Sequence, residues 1–528
     1  MNLVFACIIC LIFTAMSSVP ATAGRLMGAP SMAKTGSSQT SLPPARSSAS
    51  NPASSPVSTF LPRPVFRPGE LLIRYSKEAV IHRLALTHEK IGSRITGHNR
   101  RLKVQKIRLK KGMDEETAAT LYLDSGLVDI AEKHVVRYPN RIPGDPLFSD
   151  QWGMSRIDAP GAWDITAGAP EITVAVIDTG IDYRHPDLAA NIRTNSVELN
   201  GQPGIDDDRN GFVDDVRGWD FAGVSAYDGE DDDNDPTDTF GHGTHVAGII
   251  AGKGDNALGI AGVCWNIGIM PLKITADNDQ TNIMDVFDIV AALDYARENG
   301  ARIINCSFGS TGYSDIEQAA FADLKTSGIP VVCAAGNEGT DMSLYSYRVY
   351  PASYELDNII SVTASDMNDD PTGFSSFGIE SVDVAAPGTG ITSTSLSNGY
   401  EPMDGTSMAA AHVSGIVAMI LSINPDTDYR AVKSIIIDTV DPVSSWSGKL
   451  VSEGRVNAFN AVTKMLTPVA GDLNHDRVVE IEDAVLALRI ISLSGLSTGI
   501  NAEGDIDGDG KIGAAEAVYV LQKISGFR

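Results

Sequence analysis

Five uninterrupted apolar runs, separated by helix-like stretches, constrain this chain more than any other feature of its sequence. They are ITVAVIDTG (172–180), IGIMPLKI (267–274), ARIINCSF (301–308), IPVVCAAGN (329–337) and IISVTA (359–364), with helical patterns near 281–299 and 314–327. A strand with one face in water alternates polar and apolar residues, whereas a strand that is apolar throughout is covered on both sides. That is the environment of a parallel sheet with helices on each face. The expected fold is therefore α/β, a doubly wound parallel sheet flanked by helices. In such sheets sites form at the carboxyl ends of the strands, so the polar residues just beyond each run are the candidates for chemistry. A chain of 528 residues, 43% of them apolar, can build this core and smaller domains beside it.

Three polar residues stand at such places. Asp178 ends the first run (VAVIDTGID), where a carboxylate leaving a buried strand needs a partner such as an imidazole N–H. His242 lies in DTFGHGTHVAGIIAG, whose glycines precede an apolar helix and put the ring near its start. His245, three residues on, turns toward the packed face and is read as structural. Ser407, in MDGTSMAAAHVSGIVAMI, again opens an apolar helix, where first-turn amides and the helix dipole favour negative charge. A serine hydroxyl is a poor nucleophile at neutral pH. Acyl transfer therefore needs a base to take its proton and a carboxylate to hold that base in one tautomer. Asp178, His242 and Ser407 offer those three groups.

IDTGID, GHGTHVAG, AAGNEG and GTSMAAAHV, in this order, resemble the motifs of the subtilases. The resemblance implies a serine endopeptidase that cuts protein or peptide substrates through a Ser-His-Asp triad and an acyl-enzyme intermediate. It implies that the side chain of Asn337 and the backbone N–H of Ser407 bind the oxyanion. It also implies that substrate adds as an extended strand beside Ser307, Phe308 and Gly309 and beside Ala334, Ala335 and Gly336. The family usually has Pro where this chain has Ala411. Alanine is a good helix former, so a small loss of rigidity and no loss of mechanism is expected. Ahead of this body (141–466), residues 65–140 alternate strand-like runs (ELLIRY, KVQKIRL) with helical ones near 77–90 and 114–124. This small α+β unit resembles the family's inhibitory propeptide, so the chain is expected to be a zymogen with its own propeptide as inhibitor. Residues 67–137 hold 15 Lys and Arg against 9 Asp and Glu, although the whole chain has a formal net charge of −26. A basic segment thus precedes an acidic body on which it can dock.

Calcium is expected at three loops. In GIDDDRNGFVDD, oxygen ligands stand at Asp206, Asp208, Asn210 and Asp214, with Gly211 at the turn and Phe212 offering its carbonyl. The spacing resembles an EF-hand loop without its final bidentate Glu, and hard oxygen donors select calcium over zinc. The neighbouring run DGEDDDND lacks such spacing and reads as solvated surface. The second and third loops are internal repeats in residues 467–528, each a ligand loop followed by an apolar-faced helix. They resemble a dockerin type I module with ligands Asp472, Asn474, Asp476 and Asp483, then Asp505, Asp507, Asp509, Lys511 and Glu516. In the first, Arg477 stands where glycine is expected, which strains the turn. A cohesin-like or cell-surface partner, or a purely calcium-stabilised folding module, are both open for this region.

Residues 1–23 carry a 14-residue apolar run (LVFACIICLIFTAM) and a small-residue site before Gly24, the pattern of a signal peptide, although no Lys or Arg precedes the run. That run is shorter than the roughly 20 residues needed to span a bilayer, so secretion with no membrane span after signal removal is expected. Residues 24–64 are rich in Ser and Pro and read as a disordered linker. Beyond the signal, Cys264, Cys306 and Cys333 remain, and the apolar setting of the last two favours inert core thiols over disulfides. The acidic balance excludes nucleic acid as a partner. A binding-only homologue would have lost a catalytic residue, and none is missing. An adhesion protein with the calcium loops as its main business differs in being indifferent to serine-directed inactivation.

Overall fold

The computed structural model describes residues 66–75, 81–136, 142–223, 232–277, 283–492, 501, 504–506 and 511–526. The signal and linker readings (1–64), residues 137–141 and two of the expected ligands, Asp507 and Asp509, lie outside them.

The first region is a four-stranded antiparallel sheet of β1 (Phe66–Tyr75), β2 (Arg94–Asn99), β3 (Val104–Arg108) and β4 (Val128–Val135), in the order β2-β3-β1-β4. Helices Ile81–Ile91 and Glu115–Asp124 accompany it. In β1, Leu71, Ile73 and Tyr75 are buried while Arg74 is exposed, the period-two pattern of a strand with one face in a core. The second helix starts where Asp114 accepts from Thr117 N at 2.7 Å. Its Tyr122 is fully buried, and its hydroxyl bonds His88 Nδ1 at 2.7 Å.

The large region is built on nine strands: β5 (Thr173–Asp178), β6 (Trp219–Asp220), β7 (Gly268–Lys273), β8 (Ile303–Cys306), β9 (Val331–Ala334), β10 (Ile359–Ser365), β11 (Val384–Pro387), β14 (Asp441–Pro442) and β15 (Gly454–Arg455). A separate hairpin joins β12 (Ile391–Ser395) and β13 (Gly399–Met403). The sheet order is β14-β15-β11-β10-β9-β8-β5-β7-β6, and every pairing is parallel except β14 with β15. All six residues of β5 are buried. Val174 and Val176 join one hydrophobic cluster while Ala175 and Ile177 join the other, so the sheet divides two cores, as its unbroken apolar runs require. Helices His242–Ala251 and Thr406–Ile423 fill the first cluster, and Val286–Glu298 and Asp315–Thr326 cover the second. Thr406–Ile423 is apolar enough to cross a membrane but is 89% buried, which makes it the central helix of the core. It runs unbroken through Ala411, fully buried in place of a proline. Cys264, Cys306 and Cys333 are buried free thiols, with Cys306 opposite Cys333 across β8 and β9.

The last region pairs helices Ile481–Ile491 and Ala514–Ile524 over a small core of Leu473, Ala487 and Ala517. The two repeats end alike. Asp483 Oδ2 accepts from Glu480 N at 2.9 Å and Glu516 Oε2 from Gly513 N at 2.5 Å, so each acid at the third helical position reaches back to the loop before its helix.

Candidate active site

Asp178 closes β5 and is fully buried. His242 opens the helix His242–Ala251, and its Nδ1 lies 2.7 Å from Asp178 Oδ1, which also accepts from Thr179 N at 2.7 Å. This pairing survives because Asp238 ties the helix start to the strand end. Its carboxylate accepts from Phe240 N and Gly241 N at 2.9 and 2.8 Å, from Thr244 N at 2.9 Å and from the hydroxyls of Thr179 and Thr244. Thr179 Oγ1 in turn accepts from Gly243 N at 2.9 Å. Asp238 escaped the sequence reading because it stands three residues before the N-cap position, Gly241, where no capping spacing singles it out.

The helix and strand approach so closely that a Cβ on Gly243 would sit 2.1 Å from Gly180 O and 3.0 Å from Asp178 Cβ. Gly243→Ala is therefore expected to cost about 1–3 kcal/mol of folding free energy, since packed backbone has nowhere to go. Urea unfolding of the full chain checks this, and a change below about 0.5 kcal/mol, the size of an ordinary surface substitution, contradicts the close packing.

Burial pushes the His242 imidazole toward its neutral form, but the Asp178 charge and hydrogen bond outweigh it, and its pKa ends above the usual 6.5. Its side chain keeps 22% of its surface open. His245 behaves differently. It is fully buried, Nε2 bonds the Glu401 carbonyl at 3.0 Å, and burial lowers its pKa to about 4, so it is a neutral packing residue.

Ser407 is the second residue of the helix Thr406–Ile423. Gly405 before it has φ 155° and ψ 159°, a conformation that residues with a Cβ avoid. The Ser407 hydroxyl donates to the Ser307 carbonyl at 3.0 Å rather than to the imidazole, an arrangement that a rotation about its Cα–Cβ bond changes. Beneath it, Ser414 Oγ donates to Asn305 Oδ1 at 2.8 Å, Asn305 Nδ2 to Ser307 Oγ at 2.9 Å, and Ser307 Oγ to the Ser407 carbonyl at 3.1 Å. Asn337 is exposed. Its Oδ1 accepts from Thr406 N at 2.9 Å and Thr406 Oγ1 at 3.0 Å, which fixes the amide and leaves Nδ2 as a donor, and the first-turn N–H of Ser407 is a second. Such a set can deliver a nucleophile, take its proton and stabilise an oxyanion.

The expected substrate edges differ in access. Ser307 is buried, Phe308 half-buried and Gly309 exposed, whereas Ala334 and Ala335 are buried, Ala335 N is already bonded to Val362 O at 2.9 Å, and Gly336 is half-buried.

In the first expected calcium loop, the carboxylates that come together are Glu198, Asp208 and Asp215, with ligand atoms all within 4.8 Å of one another. Asn195 and Asn210 bridge Asp208 to Asp215. Asp206 instead accepts from Asn210 N and Gly211 N, Asp214 from Gly204 N, and the Phe212 ring packs on Trp219 and Tyr295. Glu198 and Asp215 were missed because Glu198 precedes the loop and Asp215 follows the last expected ligand. Of the neighbouring acidic run (228–235), residues 228–231 lie outside the described ones; residues 232–235 are exposed, but Asp233 pairs with Asp220 of β6 and Asp235 accepts from the Tyr183 hydroxyl at 2.7 Å.

In the C-terminal region Asp472 is 2% exposed, and its Oδ1 has no hydrogen-bond partner among the described residues. Asn474 Nδ2 donates to Asp476 Oδ2 at 2.9 Å, and Asp483 Oδ1 accepts from Leu473 N at 2.7 Å. Burial raises the pKa of Asp476 to about 6. In the second loop Glu516 is buried and Oε1 accepts from Ile506 N at 3.3 Å, Asp505 is half-buried, and Lys511 is exposed.

Comparison with known proteins gives one answer. Residues 169–466 match the family model described as the subtilase family. The chain is 33% identical over 396 residues to a thermophilic serine proteinase of Bacillus sp. (strain AK1), covering 75% of this chain and 87% of that protein. It is 36% identical over 323 residues to thermitase of Thermoactinomyces vulgaris, covering 61% of this chain and 99% of that protein. Among solved structures, a protease of Pseudoalteromonas arctica superposes with a TM-score of 0.51 at 28% identity, covering 62% of this chain and all of the other.

Proposed function

Because the chain belongs to the subtilase family of serine endopeptidases, we propose that Asp178, His242 and Ser407 are its catalytic triad. The observation that carries this reading is the 2.7 Å bond between His242 Nδ1 and a fully buried Asp178. In the reaction, His242 takes the Ser407 proton as Oγ attacks the peptide carbonyl, and Asp178 stabilises the imidazolium so formed. Asn337 Nδ2 and the Ser407 N–H receive the oxyanion. His242 then gives its proton to the leaving amine, and water repeats the sequence on the acyl-enzyme. An extended substrate lies against Ser307–Gly309 and, through Gly336, against the end of β9.

The finer reading is a secreted zymogen. Residues 1–23 direct export, residues 65–140 inhibit the body until they are cut away, and calcium stabilises the folded form. Glu198, Asp208, Asp215 and Asn210 would hold one calcium ion. The hard-oxygen donors fit it, since ligand atoms of Glu198, Asp208 and Asp215 converge within 4.8 Å of one another. Asp472, Asn474, Asp476 and Asp483 would hold a second, a reading supported by the buried Asp472 Oδ1, which has no partner among the described residues and suits a cation. A third belongs to the loop ending at Glu516. Calcium supplies electrostatic cross-linking there and takes no part in bond cleavage.

The test is hydrolysis of unfolded casein by purified protein, in calcium and in chelator, with a fluorophosphonate probe run in parallel. Cleavage together with covalent probe on the Ser407 peptide is expected. Folded protein that neither cuts casein nor takes up the probe sinks the proposal. The pH profile adds an independent check. His242 must be neutral to act as base, and its pKa is held above 6.5, so kcat/KM is lost as pH falls through that raised value. An acid limb centred at or below 6.5 contradicts the influence of Asp178.

A further inference from the structure

In the first C-terminal loop, the position where a calcium loop usually turns on glycine is held by Arg477 at φ 68°, a left-handed conformation that disfavours any side chain. Its guanidinium accounts for its presence there. Nη1 donates to Met465 O at 3.0 Å, and Nη2 to Lys464 O and Thr467 O at 3.0 Å each, so it closes the carbonyl end of Ala458–Met465, the last helix of the protease body. Helix ends leave such carbonyls unsatisfied, and a cation is their preferred partner.

The same loop grips the body at three further points. Asn424 Nδ2, at the end of the Ser407 helix, donates to His475 O at 2.6 Å. Asp428 N donates to Asp476 O at 2.9 Å. Arg430, bonded to Asp428, also reaches Glu480 at 3.0 and 3.2 Å. Residues 475, 476, 477 and 480 thus lie within the span 472–483 that carries the ligand side chains of Asp472, Asn474, Asp476 and Asp483. The segment that would wrap the ion is the segment that holds the body, through the carbonyls of His475 and Asp476 and the side chains of Arg477 and Glu480.

We propose that this loop is an intramolecular calcium joint. Arg477 fastens it to the protease body, and calcium bound by Asp472, Asn474, Asp476 and Asp483 stabilises the body itself as well as the C-terminal module. The proposal rests on the calcium reading above. It makes the body, within the same chain, the partner of this loop.

All five tryptophans (152, 163, 219, 265 and 446) lie in the body, so their fluorescence reports its unfolding and not that of the module. The experiment uses the full chain with Ser407→Ala, to prevent self-digestion, and compares it with the same chain carrying Arg477→Gly or Asp472→Asn. Bound calcium is counted by equilibrium dialysis, and the tryptophan-detected midpoint is followed with and without calcium. In the reference protein calcium raises the midpoint. Asp472→Asn is expected to lose one bound calcium and about 3 °C of that rise. Arg477→Gly is expected to keep the full calcium count, since glycine suits the turn, and to lose about the same 3 °C. An undiminished rise in Arg477→Gly with the count intact overturns the joint and leaves the calcium loop standing. An unchanged count in Asp472→Asn overturns the calcium reading of this loop, and the joint with it.

Discussion

Ser407→Ala is expected to lower kcat on an unfolded protein substrate by about 10⁶-fold, a magnitude taken over from subtilisin, where nucleophile and base act as a unit. Without Oγ there is no acyl-enzyme, and His242 has no proton to take. The fold should barely register the change. Ser407 is buried, and its hydroxyl gives one hydrogen bond, to Ser307 O. Its loss costs about 1 kcal/mol, which moves the melting temperature by roughly 2–4 °C for a body of this size. A second consequence separates self-processing from processing by another enzyme. The variant should accumulate as signal-free precursor uncut near residues 137–145, while a trace of wild-type enzyme should convert it. Spontaneous maturation of a pure preparation would show that Ser407 is not the nucleophile for that bond. A kcat reduced only tenfold would remove Ser407 from the chemistry altogether.

The parallel sheet was legible because β5, β7, β8, β9 and β10 are apolar on both faces, and no other common arrangement hides both faces of so many strands. The three residues proposed as the triad were legible as candidates for the same reason, since Asp178, His242 and Ser407 each stand at the edge of a buried run, where a polar residue is conspicuous. The supports were not. Asp238 acts through main-chain amides and two hydroxyls, and such contacts leave no periodic trace in a sequence. Lys273 is fully enclosed although PLKI gives no sign of it, because its neutralising partners Asp220 and Asp277 come from other segments or a later turn. The acidic cluster of Glu198, Asp208 and Asp215, proposed as a calcium site, was half legible. The loop's internal spacing drew attention to Asp206 and Asp214, which the fold spends on backbone turns, while Glu198 arrives from a preceding helix. At Arg477 the local rule was read correctly, since the turn is indeed left-handed, but its compensation came from carbonyls at 464, 465 and 467 that only the folded chain brings near.

Asp178→Asn is expected to lower kcat/KM by about 10⁴-fold while keeping substrate binding, and to move the acid limb of the residual activity downward. The direction follows from the balance at His242. Burial favours the neutral imidazole, and the Asp178 charge and hydrogen bond reverse that preference. Asparagine removes the charge, so burial prevails and the folded-state pKa falls. The base is then neutral over a wider range of pH, but the imidazolium formed during attack has lost its counter-charge. Local geometry makes the substitution costly in a second way. Asp178 Oδ1 already accepts from both Thr179 N and the imidazole, which holds an amide oxygen at that position and turns the new NH₂ toward the place of Oδ2. That place is buried and offers no hydrogen-bond partner among the described residues, so the donor stays unsatisfied at about 1–3 kcal/mol. The variant should therefore be less stable than wild type at every pH at which both fold. A pH–rate profile and a urea titration on the same preparation measure both effects. A limb that stays above 6.5, or stability equal to wild type, would mean that Asp178 does not govern the imidazole as this geometry requires.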